Sequence, residues 1–304
     1  MSNQDNGTVS KYIQVNNLNV HYLTAGKGKT VVLVHGWPTS SYLWRNIIPQ
    51  LSKTMCVIAP DFPGYGKSDK PLDASHTHNY HSDFLKDFVE KLNVGKVSLV
   101  LHDVGVPIGL LWAIRNPDKI EKIAVLDSLF YTDGCCRLFY TYDISLLKRF
   151  LMIASYPKTP LLLKLLLLGI RIAGVRKLIF TLWPGIYMVM TKGVKNKKVM
   201  TKDVIKAYQA PFAGAQGRRM LEKTFVGLEL DELKEITESL NTIKAPVHII
   251  YGENDWILPH LGEENRRLQK ELKNARLTAV PDCGHFIQED QPERLSQLLV
   301  EFLP

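Results

Sequence analysis

Cysteine is scarce in this chain of 304 residues, which contains only four. Cys135 and Cys136 are adjacent, Cys56 and Cys283 are isolated, and no pair has the spacing typical of zinc or redox sites. Four cysteines in a chain of this length exclude a disulfide framework. We expect packing thiols in a reduced, cytoplasmic environment, and we expect no metal and no organic cofactor.

Long apolar runs are also missing. The amino terminus is polar and has no apolar segment of the kind that directs secretion. The most apolar stretch, residues 160–175, is too short to span a bilayer and contains Lys164 and Arg171. We interpret it as a buried or groove-lining helix, with a surface that rests on membranes or gathers lipophilic substrates as the alternative.

Positive charge is concentrated in the middle of the chain. Residues 148–223 contain sixteen Lys or Arg and two Asp or Glu, whereas acidic residues outnumber basic ones in the rest. Neither zinc-finger spacing nor an aromatic RNA-binding strand accompanies this charge, so we expect no nucleic-acid partner. Lys195, Lys197 and Lys198 leave open a peripheral contact with an anionic tail or membrane surface. Oligomeric state is not predicted by these patterns.

Buried strands alternate with helices in both outer parts of the chain. Asn16-Asn17 indicates a hairpin near the start. Apolar runs predict strands at 30–34, 55–59, 96–101, 122–126, 247–251 and 276–280. Helical spacing appears at 42–51, 80–92, 106–115, 259–272 and 291–302. Such alternation predicts an α/β fold with a parallel sheet.

The alternation is interrupted once, by a basic, Leu-rich part that has helical patterns only. We therefore predict a core built from residues 1–127 and 240–304, with a helical cap at 128–239 inserted into it.

Chemistry-bearing residues follow the predicted strands. His35-Gly36-Trp37-Pro38 follows the first buried strand, Asp103 a later one, Asp255 another, and His285 the last. Ligands bind at the carboxyl ends of strands in such sheets. A sharp strand-to-helix turn at Asp103 would expose a nucleophile, although an Asp that caps the helix is the alternative. The chain order is nucleophile, acid, histidine.

Three runs of residues resemble one known family. The runs are His35-Gly36-Trp37-Pro38-Thr39-Ser40-Ser41-Tyr42-Leu43-Trp44-Arg45, Pro60-Asp61-Phe62-Pro63-Gly64-Tyr65-Gly66-Lys67-Ser68-Asp69 and Gly284-His285-Phe286. The chain resembles α/β-hydrolases of the haloalkane dehalogenase and epoxide hydrolase group, across residues 10–127 and 240–304. The resemblance implies a mostly parallel eight-stranded sheet flanked by helices, with a cap.

The resemblance also implies roles for individual residues. Asp103 would be the nucleophile, His285 the base, and Asp255 the acid that orients it. The backbone N–H groups of Trp37 and Val104 would form an oxyanion hole. The partners implied are a small lipophilic substrate and water.

Aspartate at the nucleophile position has a chemical meaning. A serine that attacked a saturated carbon would leave an ether, whereas a carboxylate leaves an ester that activated water can cleave. We therefore expect hydrolysis of a lipophilic epoxide to a diol, with halide release from an alkyl halide as the alternative. A non-catalytic ligand-binding protein on the same scaffold is the alternative from another class.

Four positions leave the chemistry open. Dehalogenases usually have Trp after the nucleophile, where this chain has Val104, and many have Asn where it has Trp37; the indole of Trp37 could itself face a halide. Tyr208 lies where epoxide hydrolases often carry a cap proton donor. Asp127 is the rival to Asp255, because some dehalogenases keep the acid at that strand end.

Weaker candidates complete the set. Other possible donors are Tyr131, Tyr140, Tyr142, Trp183 and Tyr187. His76, His78 and His81 have neighbours typical of a solvated loop rather than a metal site.

Overall fold

The computed structural model describes residues 7–128, 131, 185–228, 231–258 and 261–303. One eight-stranded sheet has the order β1-β2-β4-β3-β5-β6-β7-β8. The strands are β1 Val9–Val15, β2 Leu18–Ala25, β3 Thr30–Val34, β4 Cys56–Pro60, β5 Val97–His102, β6 Ile120–Leu126, β7 Val247–Gly252 and β8 Ala275–Val280. Only the β1–β2 and β2–β4 pairs are antiparallel among these strands. The α/β fold class with a mostly parallel sheet is confirmed.

Helices flank this sheet. The α-helices within the described ranges are α1 Ile48–Leu51, α2 His78–Leu92, α3 Gly105–Arg115, α4 Gly185–Lys192, α5 Lys202–Gln209, α6 Gly214–Val226, α7 Asp231–Ser239, α8 Leu261–Glu271, α9 Ile287–Asp290 and α10 Pro292–Phe302. Short 3-10 helices occupy Ser41–Trp44, Pro117–Lys119, Lys197–Val199, Ala210–Phe212 and Leu240–Thr242. None of the helices in these ranges combines the length and apolar character needed to span a bilayer.

Between β6 and β7, the regular secondary structure of the described residues is helical. We call residues 185–242, which include α4 to α7, the helical insertion. The division into a core and a cap at 128–239 stays a prediction, and residues 160–175 lie outside the described residues.

The central strands explain the apolar runs in the sequence. Every residue of β3, β5 and β7 is buried, because helices cover both faces of a parallel sheet. The carboxyl ends of these strands reach the same edge, which is where the chemistry-bearing residues begin.

The predicted hairpin is confirmed. Asn16 and Asn17 connect β1 to β2 with φ values of 50° and 62°. The tight two-residue hairpin turn needs positive φ at both positions, and asparagine accepts it more readily than most residues.

The prediction of one continuous helix at 42–51 is wrong, because the structure divides this range into two short helices. The structure has a 3-10 helix at Ser41–Trp44 and then the separate α1 at Ile48–Leu51. Pro49 has no N–H for a continuous helix and instead stands in the first turn of α1, where that hydrogen is not needed.

The solvated loop predicted around His76, His78 and His81 is also wrong, because all three side chains are buried. Thr77 begins α2 as its N-cap, and its hydroxyl accepts a hydrogen bond from the Tyr80 N–H at 3.2 Å. The His76 and His81 rings pack at a tilt with centroids 5.5 Å apart, and burial lowers the pKa of both rings. No group of three or more His, Cys, Asp or Glu side chains in the described ranges is arranged to hold a metal ion.

Candidate active site

Asp103 stands on a sharp turn between β5 and α3. Its φ of 52° lies in the left-handed region, which costs a residue other than glycine roughly 1–2 kcal/mol. Neighbouring strand ends hold this backbone: the Asp103 N–H donates to the Leu126 carbonyl at 3.1 Å, and the Ser128 hydroxyl donates to the Asp103 carbonyl at 2.8 Å. The side chain is 15% exposed, so the carboxylate is accessible while its backbone is fixed.

Two glycines allow other backbone segments to approach this turn. A Cβ at Gly36 would lie 2.4 Å from the Asp103 Cβ and Oδ1. A Cβ at Gly105 would lie 2.7 Å from the His35 carbonyl oxygen. The loop after β3 and the start of α3 can therefore close around the carboxylate only without side chains at these positions.

Two backbone N–H groups address the Asp103 carboxylate. The Trp37 N–H donates to Oδ1 at 2.9 Å. The N–H of Val104, the residue directly after Asp103, donates to the same carboxylate. These are the two N–H groups expected to form an oxyanion hole. They would hold negative charge on this oxygen if a tetrahedral intermediate formed at the carboxyl carbon.

His285 lies between two carboxylates. Its Nε2 is 3.5 Å from Asp103 Oδ2, and its Nδ1 is 2.8 Å from Asp255 Oδ2. The other Asp255 oxygen accepts hydrogen bonds from the Ile257 and Leu258 N–H groups at 2.7 and 2.9 Å. Asp255 is thereby fixed to accept a hydrogen bond from the Nδ1–H group of His285, which leaves Nε2 facing Asp103.

The charges of the three groups depend on one another. Burial alone would lower the pKa of His285, but the charge of Asp255 and contacts with Asp103 raise it well above its usual value. Burial alone would raise the pKa of Asp103, but its hydrogen bond with His285 and the charge of that ring lower it overall. Asp103 and His285 therefore each stabilise the charged form of the other.

Asp127 follows directly after β6. Its carboxyl group forms no hydrogen bond with His285 in the described part of the chain. Its Oδ1 accepts from the Gly252 N–H at 2.8 Å, and its buried Oδ2 has no hydrogen-bond partner within the described ranges. Burial and the charge of Asp255 raise the pKa of Asp127 well above its usual value. Of the two rival acids, Asp255 makes the contact with the histidine ring, and the environment of Asp127 favours a neutral carboxyl.

Tyr208 is not arranged as the proton donor that its position in the sequence suggested. It is fully buried, and its hydroxyl donates to Glu289 Oε1 at 2.5 Å. Burial and the charge of Glu289 raise the pKa of Tyr208 well above its usual value. Because its hydrogen is already held by a carboxylate, a catalytic role as an acid loses support.

The other donor candidates divide into two groups. Tyr131 donates to Glu271 Oε2 at 2.8 Å, and the Tyr187 side chain is 51% exposed. Neither of these arrangements links the hydroxyl to Asp103. Tyr140, Tyr142 and Trp183 lie outside the described residues.

Tyr65 was not predicted from the sequence as a site residue, and for the indole of Trp37 the sequence left open whether it faces a halide. Trp37 Nε1 is buried and has no hydrogen-bond partner in the described part of the chain, while its ring packs on Phe225 at 5.2 Å. The Tyr65 hydroxyl lies against Thr224, and burial and the charge of Asp103 raise its pKa. Because Thr224 and Phe225 are neighbours on α6, the two donors lie under the same part of the helical insertion.

His102 contacts His285 through its ring and through one hydrogen bond. Its ring is buried 4.9 Å from the His285 ring, and its Nε2 forms a hydrogen bond with the His285 carbonyl oxygen at 3.0 Å. A carbonyl only accepts, so Nε2 carries the hydrogen. Burial and the charge of His285 lower the pKa of His102 to about 3, so this ring is neutral.

This strand-end arrangement agrees with comparisons to known proteins. The family model for the α/β hydrolase fold matches residues 29–149. The chain has the α/β hydrolase fold, and its similarity to named hydrolases supports a hydrolase. A soluble epoxide hydrolase from Corynebacterium sp. (strain C12) is 26% identical over 95% of this chain and 94% of its own length. A haloalkane dehalogenase from Agrobacterium fabrum is 26% identical over 94% of this chain and 88% of its own length.

A solved structure supports the fold of this hydrolase. The haloalkane dehalogenase from Bradyrhizobium elkani has a TM-score of 0.77 at 22% identity, covering 97% of both chains. The resemblance to the haloalkane dehalogenase and epoxide hydrolase group is thus confirmed. The alternative of a non-catalytic binding protein loses support.

Proposed function

We propose that this hydrolase cleaves a lipophilic small molecule at a saturated carbon, through an ester on Asp103, and that its substrate is an epoxide. The observation that carries the proposal is a carboxylate on the strand-to-helix turn, 3.5 Å from the His285 ring. A hydroxyl at this position would not lead to a cleavable intermediate on such a carbon.

In the first step, Asp103 Oδ2 forms a bond to the substrate carbon and the carbon–oxygen bond of the epoxide breaks. The ring oxygen takes up a proton, for which the Tyr65 hydroxyl is the proposed donor, and Tyr65 is left as a phenolate. Oδ1, which accepts from the Trp37 N–H at 2.9 Å, becomes the ester carbonyl oxygen. The charge of Asp103 is lost in this step, and with it one of the interactions that raise the pKa of His285.

In the second step, His285 Nε2 takes a proton from water, which attacks the carboxyl carbon of Asp103. The two N–H groups stabilise the oxyanion on Oδ1. Collapse of the intermediate breaks the bond between the carboxyl carbon and the alkoxy oxygen, which takes the proton from His285 and leaves as the diol. The carboxylic acid that remains at Asp103 returns its proton to the group that protonated the epoxide oxygen, which restores the carboxylate. Asp255, 2.8 Å from Nδ1, stabilises the imidazolium that forms.

An alkyl halide is the second candidate, and the indole of Trp37 is the observation that favours it. A halide leaves as an anion and needs a hydrogen bond but no proton. Trp37 Nε1 offers a buried N–H without a partner in the described residues. An epoxide oxygen needs a proton, for which the Tyr65 hydroxyl near Asp103 is the available group.

The test uses lipophilic epoxides and haloalkanes of matched chain length, with diol and halide measured as products. The substitution His285→Gln should leave the ester uncleaved, so mass spectrometry should find the substrate mass added to the peptide that contains Asp103. Asp103→Ala is the control and should carry no adduct.

Each outcome has a distinct meaning. Diol formation supports the first candidate, and halide release without epoxide turnover replaces it with the second. Equal product from the wild type and Asp103→Ala, with no adduct, would remove the covalent mechanism altogether.

A further inference from the structure

The loop that carries the base is attached to the helical insertion at several points. We call residues 284–290 the base loop, since it begins one residue before His285 and includes α9. The Phe286 N–H donates to the Gly193 carbonyl at 3.1 Å, directly after α4. A Cβ at Gly193 would lie 2.4 Å from the Phe286 ring, so the two segments are in close contact.

Asp290 links the two segments through its carboxylate. One side-chain oxygen accepts from the Gly284 N–H and the Lys195 N–H, both at 2.7 Å. The other accepts from the Asn196 N–H at 2.8 Å. The same carboxylate therefore fixes the residue before the base and the turn after α4.

Glu289 makes a second link, to helix α5. Arg45 binds it in a two-pronged ion pair, with Nη1–Oε1 at 2.5 Å and Nη2–Oε2 at 2.7 Å. Tyr208 donates its hydroxyl to Oε1, and its ring packs edge-on against Tyr42 at 5.2 Å. Glu289 is 1% exposed, so neither partner is readily replaced by water.

We propose that Tyr208, Glu289 and Asp290 form a clamp that couples the position of the helical insertion to the position of the catalytic base. These are positioning residues: the clamp acts on His285 through the backbone of the base loop and touches no reacting atom. This inference rests on the proposed function only in so far as His285 is the base. It gives Tyr208 a role that differs from the proton donor expected from the sequence.

The first test is hydrogen exchange of the full chain, which needs no substrate. Tyr208→Phe removes one hydroxyl and keeps the ring. Loss of a hydrogen bond to a charged group should raise exchange roughly tenfold in residues 202–209 and in the base loop. Tyr187→Phe is the matched control, because Tyr187 is on α4 but its side chain is exposed. An increase confined to residues 202–209 would overturn the coupling.

The second test is turnover of an epoxide and a haloalkane by the same variants. The clamp predicts that Tyr208→Phe lowers kcat about tenfold for both substrates, since the base serves both. A loss for the epoxide alone would instead make Tyr208 a proton donor and contradict the clamp.

Asp290→Asn provides an independent variant, because its partners are backbone groups. It should raise exchange in the base loop and around residues 195–196. If neither substrate is turned over by the wild type, the proposed function fails while the exchange experiment still decides whether the clamp exists.

Discussion

The sheet core and the helical insertion contribute different things to one site. The core supplies the groups that would react: Asp103 on its turn, His285 with Asp255, and the N–H groups of Trp37 and Val104. The insertion supplies side chains that contact the segments around these groups: Phe225 packs on the Trp37 ring, and Tyr208 binds Glu289 of the base loop. The strand-end groups are thus fixed by hydrogen bonds, whereas the contacts of the insertion with the core depend on helix packing.

The largest expected effect lies entirely within the core, and it separates the two acids. Asp255→Asn should lower kcat about 10,000-fold, because the amide fixes the wrong tautomer of the histidine ring. Asp127→Asn should change kcat less than about tenfold, because an amide resembles the neutral carboxyl favoured there. Steady-state kinetics of both variants on one substrate measures the difference, and the reverse order would identify Asp127 as the acid.

A second core substitution tests how closely the loop after β3 must approach. Gly36→Ala should lower kcat/KM about 1,000-fold, since its Cβ would lie 2.4 Å from the Asp103 side chain and displace the Trp37 N–H. Gly262→Ala is the control, because a Cβ there first meets Tyr251 Oη at 3.3 Å. Circular dichroism should show both variants folded; full activity of Gly36→Ala would contradict the proposed oxyanion hole.

The same contrast explains what the sequence could predict. Strand ends carry strong local signals in the sequence. Asp103, Asp255 and His285 lie after strands, as those signals predict, and parallel strands present their carboxyl ends at one edge of the sheet. The hairpin at Asn16-Asn17 follows from backbone preference in the same way.

Contacts between distant helices carry no such signal. The hydrogen bond between Tyr208 and Glu289 joins residues that are 81 positions apart, and the sequence around neither residue predicts it. The burial of His81 was missed for the same reason, since it depends on rings from other segments, including Phe62 and Tyr65. The sequence therefore predicts the residues at strand ends better than the contacts between distant segments.

His102 provides a smaller effect, on stability rather than activity. Its pKa is about 3 in the folded chain and near 6.5 when unfolded, so only the unfolded state binds the proton between these values. Stability from this group is complete above the unfolded pKa and is lost as the pH falls. Between pH 7 and 5 the loss should be about 2 kcal/mol.

Urea unfolding of the wild type and His102→Gln at pH 7 and 5 measures this loss. The wild type should lose about 2 kcal/mol more than the variant, because glutamine does not titrate. An equal loss in both proteins would show that the ring is already protonated, or exposed, in the folded state.

The smallest expected effect tests the border between the core and the insertion, where Trp37 meets Phe225. Trp37→Phe removes the unpartnered indole N–H but keeps an aromatic ring and the backbone N–H that binds Asp103. If the indole binds a departing halide, kcat/KM for a haloalkane should fall roughly tenfold while epoxide turnover changes little.

Tyr65→Phe should show the opposite preference, because its hydroxyl would donate a proton to the epoxide oxygen. Both variants are compared on one matched pair of substrates, so the ratio of the two activities cancels any general loss of folded enzyme. If both substitutions leave this ratio unchanged, the groups that receive the leaving atom belong to the insertion, and the assignment of all chemistry to the core is wrong.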